Sequence, residues 1–171
     1  VTRVGNPGSL LVQAGETSSY EQRLLAVDPA FLRMFSFPLE RGDAAAALSQ
    51  PLSVVVSRAM ADKYFPGRDP MGKTLTVNRD FALTVTGVMK DPPSNSSIRP
   101  SFLVPVDRMD DLRSTRGYWA NIDRWDLRVF TTWVRLSDPG AAAAVGEKVA
   151  ALVRTKTGWD IEPWTLNPLV G

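Results

Sequence analysis

Gly67-Arg68-Asp69-Pro70-Met71-Gly72-Lys73-Thr74 satisfies the phosphate-loop pattern G-x-x-x-x-G-K-[ST] letter for letter, and its flanks decide what it can be. A working phosphate loop leaves a buried strand and enters a helix, whose first N–H groups cradle the anion. Here the order is reversed. Ser57 to Phe65 reads as a helix, with Met60, Tyr64 and Phe65 at helical spacing. After the loop the residues alternate, with Thr74, Thr76 and Asn78 on one face and Leu75 and Val77 on the other. Pro66 and Pro70 each remove a backbone donor, and no second strand ends in an acid placed to hold magnesium. The stretch is therefore expected to be a helix-to-strand turn.

Elsewhere strand and helix patterns alternate. Ser9 to Ala14 and Tyr20 to Val27 read as two strands joined by a turn over 14–19. Asp28-Pro29 predicts a helix start, with Asp28 accepting at the N-cap and Pro29 preset at the first helical position. Phe31 and Phe35 give that short helix an apolar face, and Ser36-Phe37-Pro38 ends it. Gly42-Asp43 opens a short Ala-rich helical turn up to Leu48. Leu52 to Val56 predicts a buried strand and Ser57 a helix cap; Leu75–Val77 and Phe81–Val88 predict a hairpin turning at 78–80. A Pro- and Ser-rich loop over 91–97 precedes a strand at Phe102-Leu103-Val104. Phe130, Thr132, Val134 and Leu136 predict an amphipathic strand. Asp138-Pro139 starts a helix to about Thr155, facing inward with Val145, Val149, Leu152 and Val153, and Ile161 to Thr165 reads as a last strand. Such alternation, with hairpins in the middle, is that of an α+β protein.

At 171 residues the chain can bury a sizeable core, and a net charge of +2 gives no excess to attract nucleic acid or an anionic membrane. It has no Cys and no His. Thiolate and imidazole metal sites, and Ser-His-Asp or Cys-His catalysis, are thereby excluded. No Asp/Asn-rich calcium loop appears, and no cofactor is expected. No run approaches the roughly 18 apolar residues that would span a bilayer, and no signal-peptide pattern opens the chain. The chain begins at Val1 rather than Met, and is expected to be a soluble piece of a longer protein.

The segment 106–128 interleaves five Arg with Tyr118, Trp119 and Trp125, a composition that suggests a single-strand nucleic-acid platform. Five Asp cancel the five Arg, which argues against nucleic acid, since phosphate attraction needs an excess of charge. Tyr, Trp and Arg together are instead the composition of interface hot spots, so Tyr118, Trp119 and Trp125 are the candidate partner surface. Paired carboxylates would allow a secreted hydrolase, the alternative function. Asp28, Asp91 and Asp138, however, sit where capping or turn formation explains them. A serine nucleophile among Ser94, Ser96, Ser97 and Ser101, paired with Lys90, has no nucleophile elbow to present it. Trp133 and Trp164 read as packing residues.

Three blocks in series carry a family resemblance. Val27-Asp28-Pro29-Ala30-Phe31-Leu32-Arg33-Met34-Phe35 with Leu39-Glu40-Arg41-Gly42 is the first. Ser53-Val54-Val55-Val56-Ser57, Tyr64-Phe65 and Asp69-Pro70-Met71-Gly72-Lys73 form the second, and Val85-Thr86-Gly87-Val88-Met89-Lys90-Asp91-Pro92-Pro93 with Asn95-Ser96 the third. In order and spacing, over about residues 24–105, they resemble the extracytoplasmic domain of the MacB-like, FtsX-type ABC transporter permeases. Thr131-Thr132-Trp133-Val134-Arg135-Leu136 and its helix are similar, more loosely, to the family's closing strand and helix.

The resemblance implies a two-lobed α+β fold. A porter-like lobe would be built from 1–38 and 129–171, with a smaller mixed lobe, 39–128, inserted between them. The family usually has a further strand and helix before the position of Val1, so the first lobe is expected to be truncated. Glu162-Pro163-Trp164-Thr165-Leu166-Asn167-Pro168-Leu169 resembles the approach to a second transmembrane helix. The implied role is non-catalytic: coupling of ATP-driven helix motion, outside the bacterial cytoplasmic membrane, to export or to a periplasmic partner. The implied partners are a second permease subunit, a cytoplasmic ATPase domain or subunit, a periplasmic adaptor, and the membrane through flanking helices.

Overall fold

The computed structural model describes residues 1–108, 112 and 130–158. The chain divides into two compact units, one of Val1–Ile122 with Val129–Trp133, the other of Asp123–Arg128 with Val134–Gly171.

The first unit is built on one ten-stranded sheet. Its strands are β1 (Thr2–Gly5), β2 (Leu10–Ala14), β3 (Thr17–Glu21), β4 (Leu24–Val27), β5 (Leu39–Arg41), β6 (Ser53–Ser57), β7 (Thr74–Val77), β8 (Phe81–Met89), β9 (Phe102–Pro105) and β10 (Phe130–Trp133). They run in the order β10-β1-β4-β9-β6-β8-β7-β2-β3, with β5 on β8. β4 is parallel to β9 and β6 to β8; the other pairings are antiparallel. The β2–β3 hairpin pairs with β7, whereas β1 and β4 lie at the other end of the strand order.

That order forces the sheet to curl. From β4 to β3 there are six strand-to-strand steps, which laid flat would separate them by about 29 Å. Only Gln22 and Arg23 connect these strands, and three Cα steps reach about 11 Å. The β3 end must therefore return to the β4 side, and the packing agrees. Leu10 and Val12 of β2 share one apolar cluster with Leu24 and Ala26 of β4, together with Val54, Val56, Leu83, Val85 and Phe102. A second cluster covers the opposite face, with Val27, Phe31, Leu48, Val55, Met89 and Leu103. β6 and β9 supply both clusters by alternation, Val54 and Val56 to one and Val55 to the other, as expected of strands buried on both faces.

β8 slips register against β6 between Val54 and Val55, where partners pass from Val85 to Gly87 and leave Thr86 as an extra residue. The Thr86 hydroxyl donates to the carbonyl of Ala47 at 2.6 Å. Gly42, which follows β5, has φ of +90° and lies so close that a Cβ there would sit 2.5 Å from the Thr86 carbonyl oxygen.

The α-helices of this unit with described bounds are α1 (Phe31–Met34) and α2 (Arg58–Tyr64). Ser57 caps α2 as expected, its Oγ accepting from Met60 N at 3.4 Å. The hairpin of β7 and β8 and the strand over 53–57 also stand where the sequence placed them. Several expectations need correction. Tyr20 to Val27 is not one strand but the end of β3 and all of β4, because the chain crosses the seam of the curled sheet at Gln22-Arg23. The turn is shorter than 14–19, since Thr17 already pairs with Ala14. β1 was not legible: Thr-Arg-Val-Gly is too short to show a period. The Ala-rich segment after Gly42 makes only the short helical turn expected, Ala47 N donating to Asp43 O at 2.7 Å and Asp43 Oδ1 accepting from Ala45 N at 3.0 Å. Asp28 does not cap α1. Its carboxylate faces Arg3, and the N-cap position falls on Ala30 with no side-chain cap.

In the second unit, α3 (Ala142–Thr157) follows a 3₁₀ turn (Pro139–Ala141) whose start is capped as predicted, Asp138 Oδ1 accepting from Gly140 N at 2.9 Å. Gly158, with φ of +72°, closes it. Its buried positions are Gly146, Ala150 and Val153, a stripe of period close to four, while Leu152 is exposed. The expected strand over Phe130–Leu136 ends at Trp133. The expected strand at Ile161–Thr165 lies outside the described residues.

Candidate interaction surface

Gly67–Thr74 runs from α2 into β7, and four of its backbone donors are engaged within the protein. Gly72 N donates to Val85 O at 2.8 Å, Lys73 N to Pro70 O at 3.0 Å and Arg68 N to Phe65 O at 3.0 Å. Met71 N donates to Asp69 Oδ1 at 3.0 Å, and the same carboxylate accepts from Arg41 Nη2 at 2.9 Å. A carboxylate thus occupies the place where an anion would be cradled. The pattern is a turn, held by Gly67 and Gly72 at positive φ.

The acids that might form a catalytic pair are each bound to a structural partner. Asp28 accepts from Arg3 through its backbone N (2.7 Å), Nε (3.1 Å) and Nη2 (2.8 Å). Burial by itself would raise the Asp28 pKa, but these bonds outweigh it and hold the carboxyl below its usual range. Asp69 is also held low, first by the Met71 N–H and then by Arg41 against the opposing effect of burial. A general acid needs the opposite shift. Asp91 Oδ1 accepts from Ala59 N in the first turn of α2 at 3.0 Å. Of the four serines weighed as nucleophiles, Ser96 exchanges hydrogen bonds with Ile98 N and O, and none is bonded to Lys90 among the described residues.

Where β3 passes into β4, Glu21 is the hub. Its Oε1 accepts from Lys63 Nζ at 2.7 Å and from the Tyr64 hydroxyl at 2.8 Å. Burial first, and the Glu21 bond second, push the Tyr64 pKa well above the ordinary phenol value. Next to this hub lies an open concavity of about 440 Å³, whose walls include Tyr20, Arg23, Met60, Asp91 and Arg99. Tyr20 is 72% exposed. No group of three or more His, Asp or Glu placed to hold a metal ion occurs among the described residues.

Tyr118, Trp119 and Trp125, the partner surface expected from sequence, lie outside the described residues. Trp133 packs edge-on against Phe35 at 5.5 Å, as its reading as a packing residue anticipated. Arg23 and Arg99 were not singled out. The one sequence signal for Arg23 was the polar pair Gln22-Arg23 within the run read as a strand, and Arg99 had none.

An α+β unit on a curled sheet with an apolar cluster on each face is the class of domain that these strands and helices define. Residues 1–152 match the MacB-like periplasmic core domain family, and the chain belongs to that family. Comparison with curated proteins gave no match. Among solved structures, the fold is similar to a domain of a protein described as a permease from Porphyromonas gingivalis (26% identity, TM-score 0.72), over 90% of this chain and 62% of that one. It is also similar to the periplasmic region of MacB from Actinobacillus actinomycetemcomitans (17%, TM-score 0.61; 90% of this chain, 68% of that one). A third is the extracellular domain of the noncanonic ABC-type transporter YknZ from Gram-positive bacteria (17%, TM-score 0.66; 96% and 80%). The chain thus spans about three fifths of the first of these. The predicted α+β class and the MacB-like family are both as read from the sequence. No helix among the described residues is long and apolar enough to cross a membrane.

Proposed function

We propose that the chain is the extracytoplasmic part of a bacterial ABC transporter permease, and that it transmits motion rather than performing chemistry. The observation that carries this reading is the pairing of β1 with β10. Thr2 lies opposite Trp133 and Gly5 opposite Phe130, so strands from near the start of the chain and from residues 130–133 are neighbours. Force entering through either strand passes into one hydrogen-bonded sheet, whose interior is close-packed and resists deformation. In the parent protein, cytoplasmic ATPase units would move the flanking helices, and two copies of this domain would separate or close in response. Within each copy, a lobe of 1–38 with 129–171 and an inserted lobe of 39–128 would move together as rigid parts, and a periplasmic adaptor would be a natural partner.

These 171 residues contain no Cys, so a label introduced here competes with no native thiol of this domain. In the membrane-embedded parent, a spin label at exposed Arg68 reports the distance between the two copies. A second pair, at Arg68 and Ser18 of one copy, reports internal rigidity. The expected result is a nucleotide-dependent change between copies with the internal distance constant. An unchanged distance between copies in nucleotide-free and ATP-trapped states would sink the coupling reading. No observation favours the hydrolase alternative.

A further inference from the structure

α1 is only four residues long, and it leaves the margin of the second apolar cluster uncovered. Val4, Leu25 and Ile98 pack against that cluster but remain half-exposed, and with Trp133 they line a groove of about 240 Å³. Arg23 and Arg99 line the same groove, and both also line the neighbouring concavity beside Glu21. Among the described residues no Asp or Glu lines the groove, whereas Glu21 and Asp91 line the concavity. Arg99 donates only to the Ser94 carbonyl, at 3.3 Å, and Arg23 has no side-chain partner among the described residues. An apolar floor with Trp, edged by two guanidiniums without carboxylate partners, is the composition of an interface hot spot. It is charge-complementary to an acid-bearing ligand.

We propose that this groove docks an acidic peptide segment of a partner protein, with one large apolar side chain against Trp133 and Leu25 and carboxylates on Arg23 and Arg99. The volume favours a side chain over a whole small molecule, because small-ligand pockets run about 300–1,000 Å³. Thr131 and Trp133, which wall the groove, belong to β10, a strand paired on one side only among the described residues. An extended segment lying there would find backbone groups that no described strand pairs, as well as the groove. The site does not depend on the coupling reading above.

The test is selection of a displayed library of random peptides on the 171-residue chain, followed by fluorescence anisotropy with the enriched peptides. The variants are Arg23→Gln with Arg99→Gln, and separately Thr131→Glu, which places a carboxylate at the groove wall. All three side chains are exposed, so folding should be retained, and circular dichroism would check it. The expected peptides carry two or more acids around an aromatic or aliphatic residue. Their binding should weaken about tenfold or more in both variants and between about 50 mM and about 500 mM salt. Enrichment of neutral or basic peptides, binding indifferent to both variants, or no enrichment would overturn the proposal. So would Arg-dependent binding of anionic phospholipid vesicles without peptide binding, which would assign the groove to lipid headgroups.

Discussion

Arg3 and Asp28 lie in different strands' reach yet hold each other by four hydrogen bonds. Asp28 accepts from the backbone N, Nε and Nη2 of Arg3, and Asp28 N donates to Arg3 O at 3.3 Å. The guanidinium carbon also lies 5.7 Å from the centre of the Phe130 ring, so one residue ties β1 to the end of β4 and to β10.

Replacing Asp28 by Asn should therefore cost about 1.5–3 kcal/mol at pH 7, the range for hydrogen bonds to charged groups. The folded pKa is depressed, so the carboxylate's contribution is present above the unfolded value of 3.8 and lost as pH falls below it. Urea unfolding of both proteins at pH 7 and pH 3 checks this: the gap between them should shrink at the lower pH. A gap that does not depend on pH would mean that the charge is not what stabilises the pair.

Glycines 42 and 72 both have positive φ but should respond differently to alanine. A Cβ at Gly72 meets nothing within 4 Å, so the cost is that of the backbone conformation, about 1–2 kcal/mol. At Gly42 the added atom would collide with the backbone of Thr86, adding a further 1–3 kcal/mol or so. Thermal denaturation of the two variants should rank Gly42→Ala well below Gly72→Ala.

Tyr64→Phe removes the bond to Glu21, which still holds Lys63, and should cost about 1–2 kcal/mol at neutral pH. Because the folded Tyr64 pKa is raised, its stabilisation is full below 10.0 and declines as pH rises past that value. The stability difference between wild type and Tyr64→Phe, followed by denaturant titration from pH 8 to 11, should narrow at the alkaline end.

Nucleotide should find no site in Gly67–Thr74, where the N–H groups of Arg68, Met71, Gly72 and Lys73 are bonded within the protein. Calorimetric titration with ATP and magnesium should give no tight binding for the wild type or for Lys73→Ala. Micromolar binding abolished by that substitution would restore the phosphate-loop reading.

On α3, Val153 is 8% exposed and Leu152 47%. Val153→Ala should lower stability by about 1–3 kcal/mol, whereas Leu152→Gln should change it by less than about 0.5. Far-UV melting curves would show the contrast, and equal effects would contradict the inward face assigned to this helix.

Much of this protein was determined by local sequence. Ser57 before α2, Asp138-Pro139 before α3, the 78–80 turn and the alternation in β7 and β8 act through neighbours in the chain, and each forms where its chemistry required. Three blocks in series, over about residues 24–105, carried the family resemblance. What tertiary structure decided was everything that depends on the curl of the sheet. A run read as one strand, Tyr20 to Val27, became the two sides of a seam, and Asp28 left the helix it was placed to cap for an arginine 25 positions away. Leu152 yielded the inward face of α3 to Gly146 and Ala150, and the groove of Arg23, Arg99 and Trp133 was assembled from segments far apart in sequence. Capping and periodicity are carried by a few adjacent residues and can be read in order. Contacts across a sheet are chosen by which surfaces can be buried together, and no local pattern records that choice.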